Sequence, residues 1–249
     1  MKRLPALDTE NLRSKLKLRV LTSHKLLASG ILTSSLLLSP VNSFPVQANV
    51  PALTLTLTLS DRLSGILPQQ VGSLQPAQED KITQILHDIY GLHATAQLEG
   101  NRLNQSYGLI GAEQHLMRYP GDSVPNMAPG RGAWGYVEDP EKEKYYVAVQ
   151  TLYLPDWTTR LSYLRDWYKF RKVVVVNPNN GRVVVAVIAD SGPAAWTGKH
   201  FGGSPEVMSE LRLNVGMQKG AVVLFFVDDP QDQVPLGPLE YNLEQSTKS

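Results

Sequence analysis

The sequence predicts a mainly β protein: a small closed barrel with short helical insertions, preceded by a helix and hairpin extension. Three observations lead there. The β-branched runs 173–176 and 183–188 flank Asn180-Gly181, a dipeptide suited to the positive φ of a tight turn. Both arms are too apolar for a sheet with one wet face, so the hairpin belongs in a core. A third apolar run, 221–227, reads as one more buried strand, and the helical patterns between these runs are short.

Composition sets the outer bounds. The chain has 249 residues, 24 Lys+Arg against 23 Asp+Glu, and no cysteine. Absence of cysteine excludes disulfides, thiol catalysis and Cys-ligated metals. A hydrophobic share of 42% with 19% charged residues is that of a globular chain. Seven of the basic residues and two of the acidic ones fall in 1–48, which leaves 17 basic and 21 acidic residues after it. A mildly acidic body without a basic patch argues against nucleic acid as a partner.

Residues 1–48 have the three parts of an export signal. A basic region ends at Lys25, an uncharged apolar run covers 26–38, and Val46-Gln47-Ala48 places small residues before a cleavage site at Asn49. A run of thirteen residues is too short for a spanning helix, which needs about 20. The expectation is a secreted or cell-envelope protein with no membrane span after leader cleavage.

The remaining elements follow in order. Residues 49–78 read as a flexible spacer, although the alternating Leu and Thr of 53–59 has strand potential. Ile82, Ile85, Leu86 and Ile89 give one apolar helix face over 79–90, ended by Gly91. A hairpin is expected from 93–99 and 103–109, with Gly100-Asn101 at its turn, and 118–133 reads as loop. Strands follow at 134–137 and 145–152, then a short helix within 157–169. Ser204 and Pro205 are a good N-cap and first residue for a helix over 205–211. The resulting boundaries are 79–133 for the extension, 134–229 for the barrel and 230–249 for a frayed tail. No internal repeat is visible.

One residue asks for a chemical explanation. Asp190 directly follows the apolar strand 183–189 and precedes Ser191-Gly192-Pro193. Burial raises a carboxyl pKa and favours the protonated form that a general acid needs. An Asp at a turn also caps backbone N–H groups, and the sequence leaves both roles open. Around it, Trp196 and His200 in a Gly-rich loop, with Trp134, Tyr136 and Ser191, are candidate substrate-binding residues, since aromatic faces pack on pyranose rings. His87 and His93 are six apart, and His115 and His200 stand alone, so no metal site and no cofactor is expected.

The stretch 172–227 resembles the rare lipoprotein A-like family, related to expansins and to a membrane-bound class of lytic transglycosylase. The likeness rests on the strand ending in Asn177, the Asn180-Gly181-Arg182 turn, the strand 183–188, Asp190 with Gly192-Pro193, a short helix and a closing valine-rich strand. It implies a six-stranded double-psi β-barrel, with 134–152 supplying earlier strands. It also implies peptidoglycan or another cell-wall polysaccharide as the partner, and Asp190 as the catalytic residue. Two departures stand out. The family's second acidic residue is absent from His200-Phe201-Gly202-Gly203-Ser204, and its His-bearing segment has no match in 152–171.

A single carboxyl group suits lytic transglycosylation, where the sugar's own 6-hydroxyl attacks, better than hydrolysis, which uses two. The alternatives are a non-catalytic polysaccharide-binding barrel and a homodimeric aspartic protease built on Asp190-Ser191-Gly192.

Overall fold

A computed structural model of the chain describes residues 52–115 and 130–239. The leader, most of the 118–133 loop and the last ten residues of the tail lie outside the described residues.

Six strands close on themselves: β4 (Tyr107–Ala112), β7 (Tyr146–Val149), β8 (Lys172–Asn177), β9 (Arg182–Ser191), β10 (Phe201–Gly203) and β11 (Lys219–Val227). Around the ring, β11 pairs with β4, β4 with β10, β10 with β7, β7 with β9, β9 with β8, and β8 with β11. The β4–β10 and β7–β9 pairs are parallel and the others antiparallel. Two ββαβ halves are interleaved here. The first is β4, β7, α4 (Leu161–Tyr168) and β8; the second is β9, β10, α5 (Pro205–Glu210) and β11. Exchanging the halves maps β4–β11 onto β9–β8 and β4–β10 onto β9–β7, each of the same sense, and β7–β10 and β8–β11 onto themselves. This is the double-psi β-barrel, and its approximate two-fold repeat is topological, with no trace in the residue pattern.

The valine runs are buried on both faces for two different reasons. Val184, Ala186, Ile188, Val173 and Val175 point into the barrel with Ile110, Val147, Phe201 and Leu224. Val174, Val176, Val183, Val223 and Phe225 point outward and are covered by Leu59, Leu63, Ile82, Ile85 and Leu86 of two helices, α1 (Ala52–Ser64) and α2 (Pro76–Tyr90). Each fully buried side chain of this size contributes about 1.5–3 kcal/mol. At the hairpin turn, Gly181 has φ +67°. The Asn177 and Asn180 amides donate to the Leu211 carbonyl at 2.9 and 3.1 Å, tying the turn to the end of α5. Ser204 caps α5, its Oγ accepting the Val207 N–H, as its sequence position predicts.

Five expectations are corrected. Residues 53–59 form neither a strand nor a loose spacer but part of α1. Leu55, Leu59 and Leu63 also stand at helical spacing, and docking on α2 selects that period. The rest of the supposed spacer is likewise held, by Leu74 in the same cluster and a Gly72 N–H bond to the Tyr107 carbonyl at 3.1 Å.

The expected hairpin shrinks to two-residue strands, β2 (Gln97–Leu98) and β3 (Asn101–Arg102), around Glu99-Gly100; β1 (Ala94–Thr95) pairs with β11 instead. The second arm becomes β4, which is largely buried on both faces and pairs with β10 and β11 in the barrel. The barrel boundary at 134 is therefore too late. β6 (Gly135–Val137) pairs only with β5 (Gly130–Gly132), outside the barrel; α3 (Pro140–Lys144) then leads into β7. Finally, the described part of the tail is docked. β12 (Gly237–Pro238) pairs with β9, and Lys172 Nζ meets Asp229 Oδ2 at 2.7 Å. Among the described residues no helix is long and apolar enough to cross a membrane.

Candidate active site

Asp190 stands where the β7–β9 register shifts. Val147 pairs with Ile188 and Ala148 with Asp190, so Ala189 is the extra residue of a bulge. Bulges re-aim the side chains beyond them. Val147 and Ile188 face the barrel interior, which turns Ala148 and Asp190 to the outer side.

The same register continues across the sheet. Ala148 pairs with Gly202, and Gly202 with Gly111. Gly111, Gly202, Ala148 and Asp190 thus form one row over four strands, a floor of minimal side chains ending in a carboxyl group. Two long side chains lie on this floor. A Cβ at Gly111 would come within 2.5 Å of Lys199 Cε, and one at Gly202 within 2.5 Å of Glu113 Cγ. Lys199 Nζ is 4.0 Å from Glu113 Oε1 and donates to the Ala112 carbonyl at 3.3 Å.

Electrostatics differ along the row. Asp190 Oδ1 accepts N–H bonds from Ala133 and Ser191, each 2.8 Å long. Burial pushes the Asp190 carboxyl above its ordinary value, and these two donors oppose the rise without cancelling it. Burial also raises Glu113; the Lys199 ammonium opposes this and the Asp190 carboxylate adds to it. The Tyr146 phenol lies beside both carboxyl groups and donates to the Gln114 carbonyl. Burial, and then the charges of Glu113 and Asp190, drive its pKa far up, so it stays a neutral donor.

The loop from Ser191 to His200 is pinned from below. Gln150, two residues beyond Ala148, donates through Nε2 to the Pro193 and Lys199 carbonyls, both at 3.0 Å. Ser191 Oγ lies 2.7 Å from Thr151 Oγ1. That engages the Ser191 hydroxyl with the scaffold. Trp196, on a 3-10 turn (Ala195–Thr197), is 89% exposed, and the adjoining Ala195 N–H donates to the half-exposed Tyr153 hydroxyl at 3.1 Å.

His200 packs over Gly108. Its Nδ1 accepts the Leu109 N–H at 2.9 Å, and burial and then the Lys219 cation lower its pKa, so it is held neutral. Trp134 and Tyr136 sit on the β5–β6 hairpin, next to the Ala133 that bonds Asp190. Trp134 is half-buried against the barrel cluster, whereas Tyr136 is exposed.

Of the sequence-predicted residues, Asp190 and Ser191 are therefore at the row's end, His200 and Trp196 border it on one loop, and Trp134 and Tyr136 reach it only through their hairpin. Glu113, Lys199, Gly111, Gly202 and Ala148 were not singled out by sequence. The available signal was Glu113 itself, an acidic residue directly after an apolar strand, as Asp190 is.

A separate cleft of about 610 Å³ lies between α3, the end of α4 and the docked tail, lined by Trp167, Phe170, Lys172, Asp229 and Leu236. Its Lys172 is consumed by ion pairs with Asp229 and Asp232, and no residue of the Asp190 row lines it. Fold and site together define a double-psi β-barrel whose outer side carries a row of minimal side chains ending in a carboxyl group. No family model matches the chain, and no curated protein matches it.

Proposed function

We propose that the protein is an exported, cell-wall glycan-active member of the rare lipoprotein A-like group. In this reading the leader 1–48 directs it to the cell envelope or beyond. The reaction is a lytic transglycosylase-like cleavage of peptidoglycan, with Asp190 as the proton-transfer residue. The observation that carries this reading is the position of Asp190: a half-buried carboxyl group at the end of the row Gly111, Gly202 and Ala148. Burial favours its protonated form and two N–H donors favour its ionised form. A group balanced in this way is suited to giving and recovering a proton. The side chains of the row are minimal, and the exposed Trp196 and Tyr153 offer aromatic surface for stacking on a sugar ring. The test is release of 1,6-anhydro muropeptides from purified sacculi, read by mass spectrometry.

A non-catalytic polysaccharide-binding barrel is the second reading. The exposure of Trp196 and Tyr153 favours it, because stacking residues alone are enough for binding. Wild-type protein that sediments with sacculi but releases nothing would support binding over cleavage.

A further inference from the structure

We propose that Glu113 is a second catalytic carboxyl group of the Asp190 site, acting as the proton donor while Asp190 acts as the base. This rests on the glycan-cleaving reading above and divides between two groups the work that reading gives to Asp190 alone. The second acid is supplied from β4, although the segment 200–204 lacks one.

Geometry carries the assignment. Glu113 follows β4 and leans over Gly202, which is two strands from Asp190 along the row. Two strand spacings put Gly202 and Asp190 about 10 Å apart at Cα, the span of a sugar ring held between two side chains. Between them the row itself carries only Gly202 and Ala148, the smallest side chains. The partners of the two carboxyl groups set the roles. Asp190 has two backbone N–H donors on one oxygen, which stabilise a carboxylate. Glu113 has as its charged neighbours Lys199 at 4.0 Å and Asp190, with the neutral Tyr146 beside it. Burial raises Glu113 most, the Lys199 ammonium opposes the rise and the Asp190 carboxylate adds to it, so an ionised Asp190 helps Glu113 to hold its proton.

The step balances without a further reactant. The Glu113 carboxyl proton passes to the glycosidic oxygen as the C1–O4 bond breaks, and the leaving sugar departs as an alcohol. Asp190 takes the proton of the 6-hydroxyl as O6 bonds to C1, giving the 1,6-anhydro product. Proton exchange through solvent returns the proton from Asp190 to Glu113.

The experiment is sacculus digestion across pH by wild type, Glu113→Gln and Lys199→Gln, with folding checked by circular dichroism. A required acid gives a fall in rate as pH rises through its pKa. Glu113→Gln is expected to lose 100-fold or more in turnover, on the order of a general acid's worth, and to lose that alkaline limb while still binding sacculi. Lys199→Gln removes the same ion pair but keeps the acid, and it moves the alkaline limb to higher pH.

Carboxyl carbon NMR titration supplies a readout apart from turnover: in Asp190→Asn the Glu113 pKa falls. Glu113→Gln with wild-type rate and profile overturns the assignment and leaves Asp190 acting alone. An unchanged Glu113 titration in Asp190→Asn also overturns it. Wild-type protein without any turnover overturns the glycan-cleaving reading itself, and the role of Glu113 with it.

Discussion

Asp190 and Gly111 occupy equivalent places in the two halves of the barrel. The approximate two-fold passes between Gly202 and Ala148, which pair with each other, and carries the Gly111–Gly202 contact onto Asp190–Ala148. One half puts a carboxyl group at the outer end of the row and the other puts a bare glycine there. The space over Gly111 is taken by the stem of Lys199, whose ammonium faces Glu113. The lesson is that the barrel repeats a backbone position and not a chemical group. One end of the row receives N–H donors and the other a cation, so two carboxyl groups that burial raises are each held back by a different kind of partner.

The strongest way to break this comparison is to attack the strand that presents Asp190. Val185 on β9 is fully buried, and Val185→Asp leaves an unpaired charge in the core. The expected cost exceeds about 4 kcal/mol, so the variant should lack a cooperative thermal transition; a normal melt would mean that β9 is not core. Next, Asp190→Asn should fold, bind sacculi and lose turnover by roughly 100-fold or more. A nearly silent Asn would instead mark Asp190 as a turn cap.

A smaller effect is expected from filling the floor between the two groups. Gly202→Val forces Glu113 off its seat and should cut turnover about 10- to 100-fold through misplacement. The same change with unaltered turnover would show that the row is not where substrate lies.

The smallest effect is on stability against pH. Asp190 and Glu113 are both raised in the fold, chiefly by burial, so over the window above their ordinary values of 3.8 and 4.5 the native state binds more protons than the unfolded chain. Stability then falls as pH rises through that window. Replacing Asp190 by Asn should flatten this slope of Tm against pH, measured by calorimetry from pH 3 to 7. An unchanged slope would place the titrating groups elsewhere.

The hairpin 172–191, the capped α5 and β11 were legible because their signals are local: a turn dipeptide, an N-cap, a run of valines. Asp190 was legible for the same reason, as a charge set against an apolar run. What sequence misread depends on distant partners. The Leu-Thr alternation at 53–59 fits both a strand and a helix, and only the face of α2 decides. β4 is half glycine and small residues, so its barrel role follows from β10 and β11 and not from its own pattern. Glu113 went unnoticed with it, since an acid after a supposed hairpin arm carries no information until that arm is known to be core. The absent repeat has the same origin: the halves share connectivity while filling equivalent positions with different side chains.

The interleaving of the halves also sets an order of events. β4 finds its ring neighbours only in β10 and β11, with Ile110 and its partner Phe201 separated by about 90 residues. Neither parallel pair can form from one half alone, because each joins a strand of the first to a strand of the second. Closing such long loops costs entropy before any contact repays it. During synthesis β4 therefore waits for its neighbours until β10 and then β11 have emerged. Closure of the ring is a late event, and it is what brings the glycine floor and both carboxyl groups together.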